Sequence, residues 1–424
     1  MKKAPSPFVS LMPIIVLVLL LFATIRTFGS DALSGGSQVS LLTTTAICIL
    51  IGMVFYKIPW KDYELAITNN IAGVATAIII LLIIGALSGI WMISGVVPTL
   101  IYYGMQIIHP SFFLASTCII CALISVMTGS SWTTIATIGI ALMGIGKAQG
   151  FEDGWIAGAI ISGAYFGDKI SPLSETTILA SSITDTPLFR HIRYMMITTV
   201  PSLVITLIIF TVAGFSHDAN NTQHIAEVAT ALNEKFHITP WLLIVPVATG
   251  ILIAKKVPSI VTLFLSTLLA AVFALIFQPD LLEEISGIAA SGFDSLFKGL
   301  MMTIYGETNL HTDNAVLTDL IATRGMSGMM NTIWLILCAM CFGGAMTASG
   351  MVGSITSIFV RFMKKTVSVV SATVCSGLFL NLTTADQYIS IILTGNMFRD
   401  IYAKKGYESC LLSRTTEDAV TVTS

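Results

Sequence analysis

The sequence predicts an all-α, polytopic membrane protein with inverted structural repeats, re-entrant hairpins and broken transmembrane helices. Three observations carry this. Of 424 residues, 55% are hydrophobic and 10% charged, with a mean hydropathy of +0.88, against the roughly 25% charged residues of soluble domains. Apolar runs near the ~20 residues that a bilayer requires recur along the chain. The stretch Gly163-Ala-Tyr-Phe-Gly-Asp-Lys-Ile-Ser-Pro-Leu-Ser-Glu-Thr-Thr177 then sets Asp168, Lys169 and Glu175 between such runs, where each charge costs ~2.5–3.5 kcal/mol to insert.

Taken in order, the candidate spans are Phe8–Phe28, Val39–Tyr56, Ile71–Ser94, Tyr194–Phe215, Trp241–Ala254, Pro258–Gln278 and Thr332–Ser349. The first is longer than the roughly 7–15 apolar residues of a signal peptide and lacks a small-residue cleavage pattern, so it reads as a retained span. Two regions, Ser111–Gly146 and Thr366–Tyr402, are each about two helices long but polar at their middles, Thr128-Gly-Ser-Ser-Trp-Thr-Thr134 and Asn381-Leu-Thr-Thr-Ala-Asp-Gln387. A hairpin entering and leaving on one face fits them, its tip tolerated where protein or water surrounds it; two tightly joined spans are the competing reading. Leu281–Gly325 is the least legible segment, with Glu307 and His311 one helical turn apart as an interfacial pair.

The expected organisation is N-terminal helices over 1–70, a first repeat over 71–215 with hairpin 111–146 and a broken helix over 154–185, an extracytoplasmic linker over 216–239, connecting helices over 240–328, and a second repeat over 329–424 with hairpin 366–402 and a broken helix over 406–424. The repeat rests on three matched blocks. At an offset of 255, Gly73, Gly89, Ser94 and Gly95 meet Gly328, Gly344, Ser349 and Gly350. At 256, Thr128, Ile135, Gly139 and Gly150 meet Thr384, Ile391, Gly395 and Gly406. At 239, Ser171-Pro-Leu-Ser-Glu-Thr-Thr177 lies over Cys410-Leu-Leu-Ser-Arg-Thr-Thr416, which requires a length change of 17 residues after Gly150. Weak internal symmetry with interrupted helices at matching places is the usual pointer to a secondary transporter's binding site. With the hairpin reading, fourteen of the twenty-one Lys and Arg residues fall on one side, which the positive-inside rule makes cytoplasmic. That places the mouth of the first hairpin outside and that of the second inside.

Pro172 removes a backbone donor and pushes Ser171 out of the α region, so a helix entering here breaks beside two carboxylates. Carbonyls and hydroxyls freed at such a break suit a small hard cation such as Na⁺. The candidate ion- or substrate-binding residues are Asp168, Ser174, Glu175, Thr176, Thr177, Ser131, Thr133, Thr384, Asp386, Arg414, Glu417 and Asp418. One carboxylate can hold H⁺ or Na⁺ but poorly both, and such competition is an exchange mechanism. Arg414, in the place of Glu175 under the 239 offset, could neutralise Glu417 or Asp418 or hold an organic carboxylate. A net charge of −2 gives no footprint for nucleic acid. Cys118-Ile-Ile-Cys121 and Cys338-Ala-Met-Cys341 have zinc-pair spacing, but apolar surroundings favour packing over metal. The absence of Gly-x-Ser-x-Gly and His-Glu-x-x-His patterns argues against a hydrolase. A channel is the remaining competitor, and paired breaks suit alternating access better.

Gly129-Ser-Ser-Trp-Thr-Thr134, the central Gly167-to-Thr177 stretch and Ser413-Arg-Thr-Thr-Glu-Asp418 together resemble the NhaC-type sodium/proton antiporters. The resemblance spans nearly the whole chain. It implies a multi-pass exchanger of the bacterial cytoplasmic membrane, not an enzyme, that moves Na⁺ out as H⁺ enters and needs no cofactor beyond the transported ions. The alternative it implies is Na⁺- and H⁺-coupled exchange of small carboxylates or amino acids, since relatives of that family include sodium–lactate/malate–proton antiporters. Its expected partners are Na⁺, H⁺, membrane lipid and at most a small organic anion. Members of the family continue past the second motif with a proline-containing apolar stretch, whereas this sequence stops at Val420-Thr-Val-Thr-Ser424.

Overall fold

The computed structural model describes the chain apart from residues 1–4, 217–221, 289, 291, 309, 311–317, 319–320, 356–365, 385–386 and 422–424. Among the described residues every regular element is a helix. The first sixteen are α1 (Pro7–Phe28), α2 (Gly36–Tyr56), α3 (Trp60–Gly73), α4 (Ala75–Ile93), α5 (Val96–Ile107), α6 (Pro110–Thr128), α7 (Ser131–Thr134), α8 (Ile140–Ala148), α9 (Asp153–Ile170), α10 (Glu175–Ile183), α11 (Leu188–Ser216), α12 (Thr222–Lys235), α13 (Ile244–Ala254), α14 (Ser259–Phe277), α15 (Pro279–Ser286) and α16 (Phe293–Tyr305). They are followed by α17 (Met330–Ala348), α18 (Thr366–Thr384), α19 (Gln387–Lys404) and α20 (Ser409–Val420). A π-helical turn, Ile135–Gly139, joins α7 to α8.

Seven of the described helices are long and apolar enough to cross a bilayer: α1, α2, α4, α6, α11, α14 and Gly325–Ala348, which includes α17. Six of these match candidate spans. The expected span Trp241–Ala254 does not form one straight rod: a 3₁₀ turn at Pro240–Leu243 precedes an eleven-residue α13, and the axis bends by 92° from the preceding Glu227–Lys235 helix. At 1.5 Å per residue α13 reaches about 16 Å, half the ~30 Å hydrocarbon core. The arms of the two hairpin regions, α6 with 19 residues and α18 with 19, are long enough for full crossings. Two joined spans and a re-entrant hairpin thus both fit, and both return the chain to the face it left.

The chain forms two compact units, one of Met1–Ile78, Thr176–Tyr194 and Met330–Ser424, the other of Ile79–Glu175 and Met195–Met329. In the first, α2 and α3 pack on α17, where Gly344 lets the Ile67 backbone approach so closely that a Cβ would lie 2.7 Å from its Cα. In the second, α6 and α9 pack along each other. Gly163 and Gly167 face the backbone of α6 at Cys118 and Ala122, the small-residue seam by which helices pack in lipid.

The repeat is visible in the helix bounds themselves. α4 and α17 each have 19 residues and start 255 positions apart (330 − 75). Beyond them the offset is 256 throughout: Pro110–Thr128 against Thr366–Thr384, Ser131 to Ala148 against Gln387–Lys404, and Asp153 against Ser409 (409 − 153). Backbone detail follows the same register. Gly150 and Gly406 both turn left-handed, at φ +84° and +72°, and Glu152 and Glu408 precede their helices at φ −67°, ψ 141° and φ −68°, ψ 142°. Ser125 Oγ donates to the Ala164 carbonyl at 2.5 Å, and its counterpart Asn381 donates through Nδ2 to the Val420 carbonyl at 3.2 Å.

This register corrects the 239 offset. α20 runs unbroken through Ser409–Val420, so no break falls at Ser413-Arg414. The physical reason lies in the sequence: the second stretch has Leu411 where the first has Pro172, and leucine neither removes a backbone donor nor clashes with the preceding turn. Arg414, Glu417 and Asp418 therefore correspond to Gly158, Ile161 and Ser162 within α9, rather than to the neighbourhood of Glu175.

Candidate functional site

The first motif folds as its proline dictates. α9 ends at Ile170, Ser171 is extended at φ −76°, ψ 129°, and α10 restarts at Glu175. Asp168 lies in the last turn of α9 and is 8% exposed. The tip of the first hairpin reaches it from the other side: Ser131, the first residue of α7, donates to Asp168 Oδ2 through its backbone N–H at 3.3 Å and its hydroxyl at 2.9 Å. The Ser174 hydroxyl also hydrogen-bonds the Asp168 carboxylate, and Glu175 lies within electrostatic reach of it.

Hairpin and break are joined at two further points. Ser171 Oγ donates to the Val126 carbonyl at 2.8 Å. Gly129 turns left-handed at φ +66° directly over Leu173, where a Cβ would come within 2.7 Å of the Leu173 carbonyl carbon. Only glycine satisfies both the turn and the approach. Ser130 caps α7 by accepting from the Thr133 N–H at 3.2 Å. Thr133 Oγ1 donates to Ser259 Oγ at 2.9 Å, and Thr137 Oγ1 to the Thr133 carbonyl at 2.7 Å. The π turn widens the helix here. Beside it lies a cavity of about 130 Å³ with Trp91, Met127, Thr137, Thr249 and Gly250 in its wall.

Asp168, Ser131 and Ser174 are thus brought together as one polar cluster. Thr133 turns to Ser259 instead. Glu175 is exposed at the start of α10, where a negative charge complements the helix dipole, while Thr176 and Thr177 are buried on the same helix. On α20, Glu417 is fully buried and accepts from Thr421 Oγ1 at 3.1 Å, Asp418 is half-buried, and the Arg414 guanidinium stacks over the Tyr194 ring at 4.9 Å. Thr384 ends α18, and Asp386 lies outside the described residues, as does His311. Glu307 pairs with Arg324 at 3.4 Å on the surface. Sequence reading missed Ser259, Ser171 as a brace, and the buried His191, whose Nδ1 lies 2.8 Å from Ser413 Oγ. The hydroxyls had no distinctive signal. A histidine at the start of an apolar helix was the one available hint.

A family model described as the Na⁺/H⁺ antiporter family matches residues 163–424, which takes in the second half of α9, α10 and the whole second repeat. The chain belongs to the Na⁺/H⁺ antiporter family. Among its relatives, the Na⁺/H⁺ antiporter NhaC of Bacillus subtilis is 35% identical, with 90% of this chain and 82% of that protein aligned. The malate-2H⁺/Na⁺-lactate antiporter of the same organism is 36% identical over 91% of this chain and 80% of that protein. The arginine/ornithine antiporter ArcD of Halobacterium salinarum is 30% identical over 99% and 84%. Proteins named for an ion pair and proteins named for organic substrates are thus both among its relatives, and the apolar helices of this chain are those of a multi-pass membrane protein.

Proposed function

We propose that the protein is a secondary active transporter of the bacterial cytoplasmic membrane that exports Na⁺ in exchange for H⁺, with Asp168 as the carboxylate for which the two ions compete. The observation that carries this is the Asp168–Ser131–Ser174 cluster at the junction of a hairpin tip and a broken helix. The Ser131 N–H has only a proton to give, so it holds Oδ2 as an acceptor whichever ion is present. The two hydroxyls can rotate. With Na⁺ bound they turn oxygen lone pairs to the cation; with the cation gone they donate to the carboxylate, and a proton restores neutrality. Loading with both ions at once would leave a surplus positive charge in an apolar surround, which opposes it.

The relatives named for lactate, malate, arginine and ornithine keep organic exchange in view as a second reading. Arg414, the side chain best suited to an organic carboxylate, already has its guanidinium on Tyr194, which favours the ion-only reading. The test is proton movement in inside-out vesicles containing this protein, with Na⁺ alone and with Na⁺ plus malate, lactate or arginine. We expect Na⁺ alone to suffice, its half-saturating concentration to rise as pH falls, and Asp168→Asn to abolish flux while membrane levels stay near normal. Full exchange in Asp168→Asn would sink the assignment of the carboxylate, and strict dependence on an organic substrate would move the protein to the second reading.

A further inference from the structure

Away from the carboxylate cluster, three sulfur atoms from two distant parts of the sequence meet inside the first unit. Cys48 Sγ, midway along α2, lies 3.7 Å from Met346 Sδ on α17, 3.7 Å from Met351 Sδ just beyond it, and 3.8 Å from Ser349 Oγ. Cys48, Met346 and Met351 are all fully buried. The thiol has one proton and two thioether acceptors, so it can donate to only one of them at a time.

We propose that Cys48, Met346 and Met351 form a binding site for one soft monovalent metal ion, Cu(I) or Ag(I). Thiolate and thioether ligands select such ions over Na⁺, Mg²⁺ or Ca²⁺. The spacing allows it: each thioether sulfur lies 3.7 Å from Cys48 Sγ, so an ion at the ~2.3 Å of a zinc–thiolate bond from Cys48 is also within bonding reach of a thioether. Charge fits as well. Binding replaces one thiol proton by one monovalent cation, so the site stays neutral in an apolar surround, whereas a divalent ion would leave a net charge there. Gly350, between Ser349 and Met351, is exposed and turns left-handed at φ +71°, so the turn beside the site reaches the surface. The site is separate from Asp168 and does not rest on the exchange reaction.

The test is an anaerobic Cu(I) titration of the reduced full-length protein in detergent, against a chromogenic Cu(I) chelator. We expect the protein to withhold one Cu(I) that Cys48→Ser releases, with Met346→Leu and Met351→Leu each weakening retention at least tenfold and Cys118→Ala leaving it intact. The leucine variants conserve volume, so unchanged melting temperatures will separate lost ligands from lost structure. X-ray absorption of the one-equivalent complex should give a first shell of three sulfurs. Retention of that equivalent by Cys48→Ser, insensitivity to both leucine variants, or a nitrogen- and oxygen-dominated shell would each overturn the proposal.

Discussion

Asp168 and Glu408 are two carboxylates at opposite ends of legibility. Asp168 stood out because a charge amid apolar residues, followed by a proline, has few bland explanations. Its partner Ser131 was legible only as part of a polar tip, and Ser259 not at all, because a serine at the start of a helix normally reads as a cap. Glu408 drew no notice in the sequence, yet Cys410 Sγ donates to its Oε2 at 3.2 Å and Arg190 Nη2 lies 3.0 Å from it. The Cys410 hydrogen bond and the Arg190 charge hold the Glu408 carboxyl below its ordinary range. A lowered folded value contributes stability above the unfolded value, and the contribution is lost as pH falls through the folded one. Glu408→Gln should therefore melt slightly below the native protein at about pH 7, with the gap closing as pH drops below roughly 4, the ordinary glutamate range. Both side chains are more than half exposed, so the gap is small. Thermal melts from about pH 7 to 3 test this, and a gap that persists at the acid end would remove the ion pair as its source.

At the scale of elements, long apolar helices were readable because hydropathy and length decide them, and the 255 and 256 offsets were readable because glycines mark turns that only glycine makes readily. The 239 offset misled for a physical reason. Leu, Ser, Thr and Thr suit a continuous helix as well as a broken one, so matching them says nothing about a break; the residue that decides, Pro172, has no counterpart at Leu411. The seam between α6 and α9 gives a direct test of how packing overrides propensity. Alanine in place of a mid-helix glycine normally stabilises by roughly 0.5–1 kcal/mol. A Cβ at Gly163, however, would clash with the Cys118 carbonyl oxygen and lie 2.9 Å from Cys121 Cβ, whereas one at Gly154 meets nothing within 4 Å. Gly163→Ala should lower the melting temperature, by an overpacking cost of roughly 1–3 kcal/mol, and Gly154→Ala should leave it level or raise it. Equal effects in the two variants would show that α6 and α9 do not hold this seam in the membrane.

At the scale of the whole molecule, the matched registers say that the two repeats are built alike, and the distribution of Lys and Arg in the sequence predicts that they face opposite ways. Two residues put these statements against each other. Glu152 and Glu408 are counterparts at 256 positions, share backbone geometry at the start of α9 and α20, and are both exposed. Glu152 follows the mouth of the first hairpin next to Lys147 and Asp153, which pair at 3.2 Å; Glu408 follows the second, close after Lys404 and Lys405. In an inverted pair, identical local structure must appear on opposite faces. With exposed Cys375 replaced by serine, Glu152→Cys should react with an impermeant thiol reagent applied to intact cells, and Glu408→Cys only in inside-out vesicles. The assay does not depend on whether each hairpin is re-entrant or a pair of spans, because both return the chain to the face it left. Labelling of the two positions from the same face would make the repeats parallel and would reverse the reading of Lys and Arg on one half of the chain.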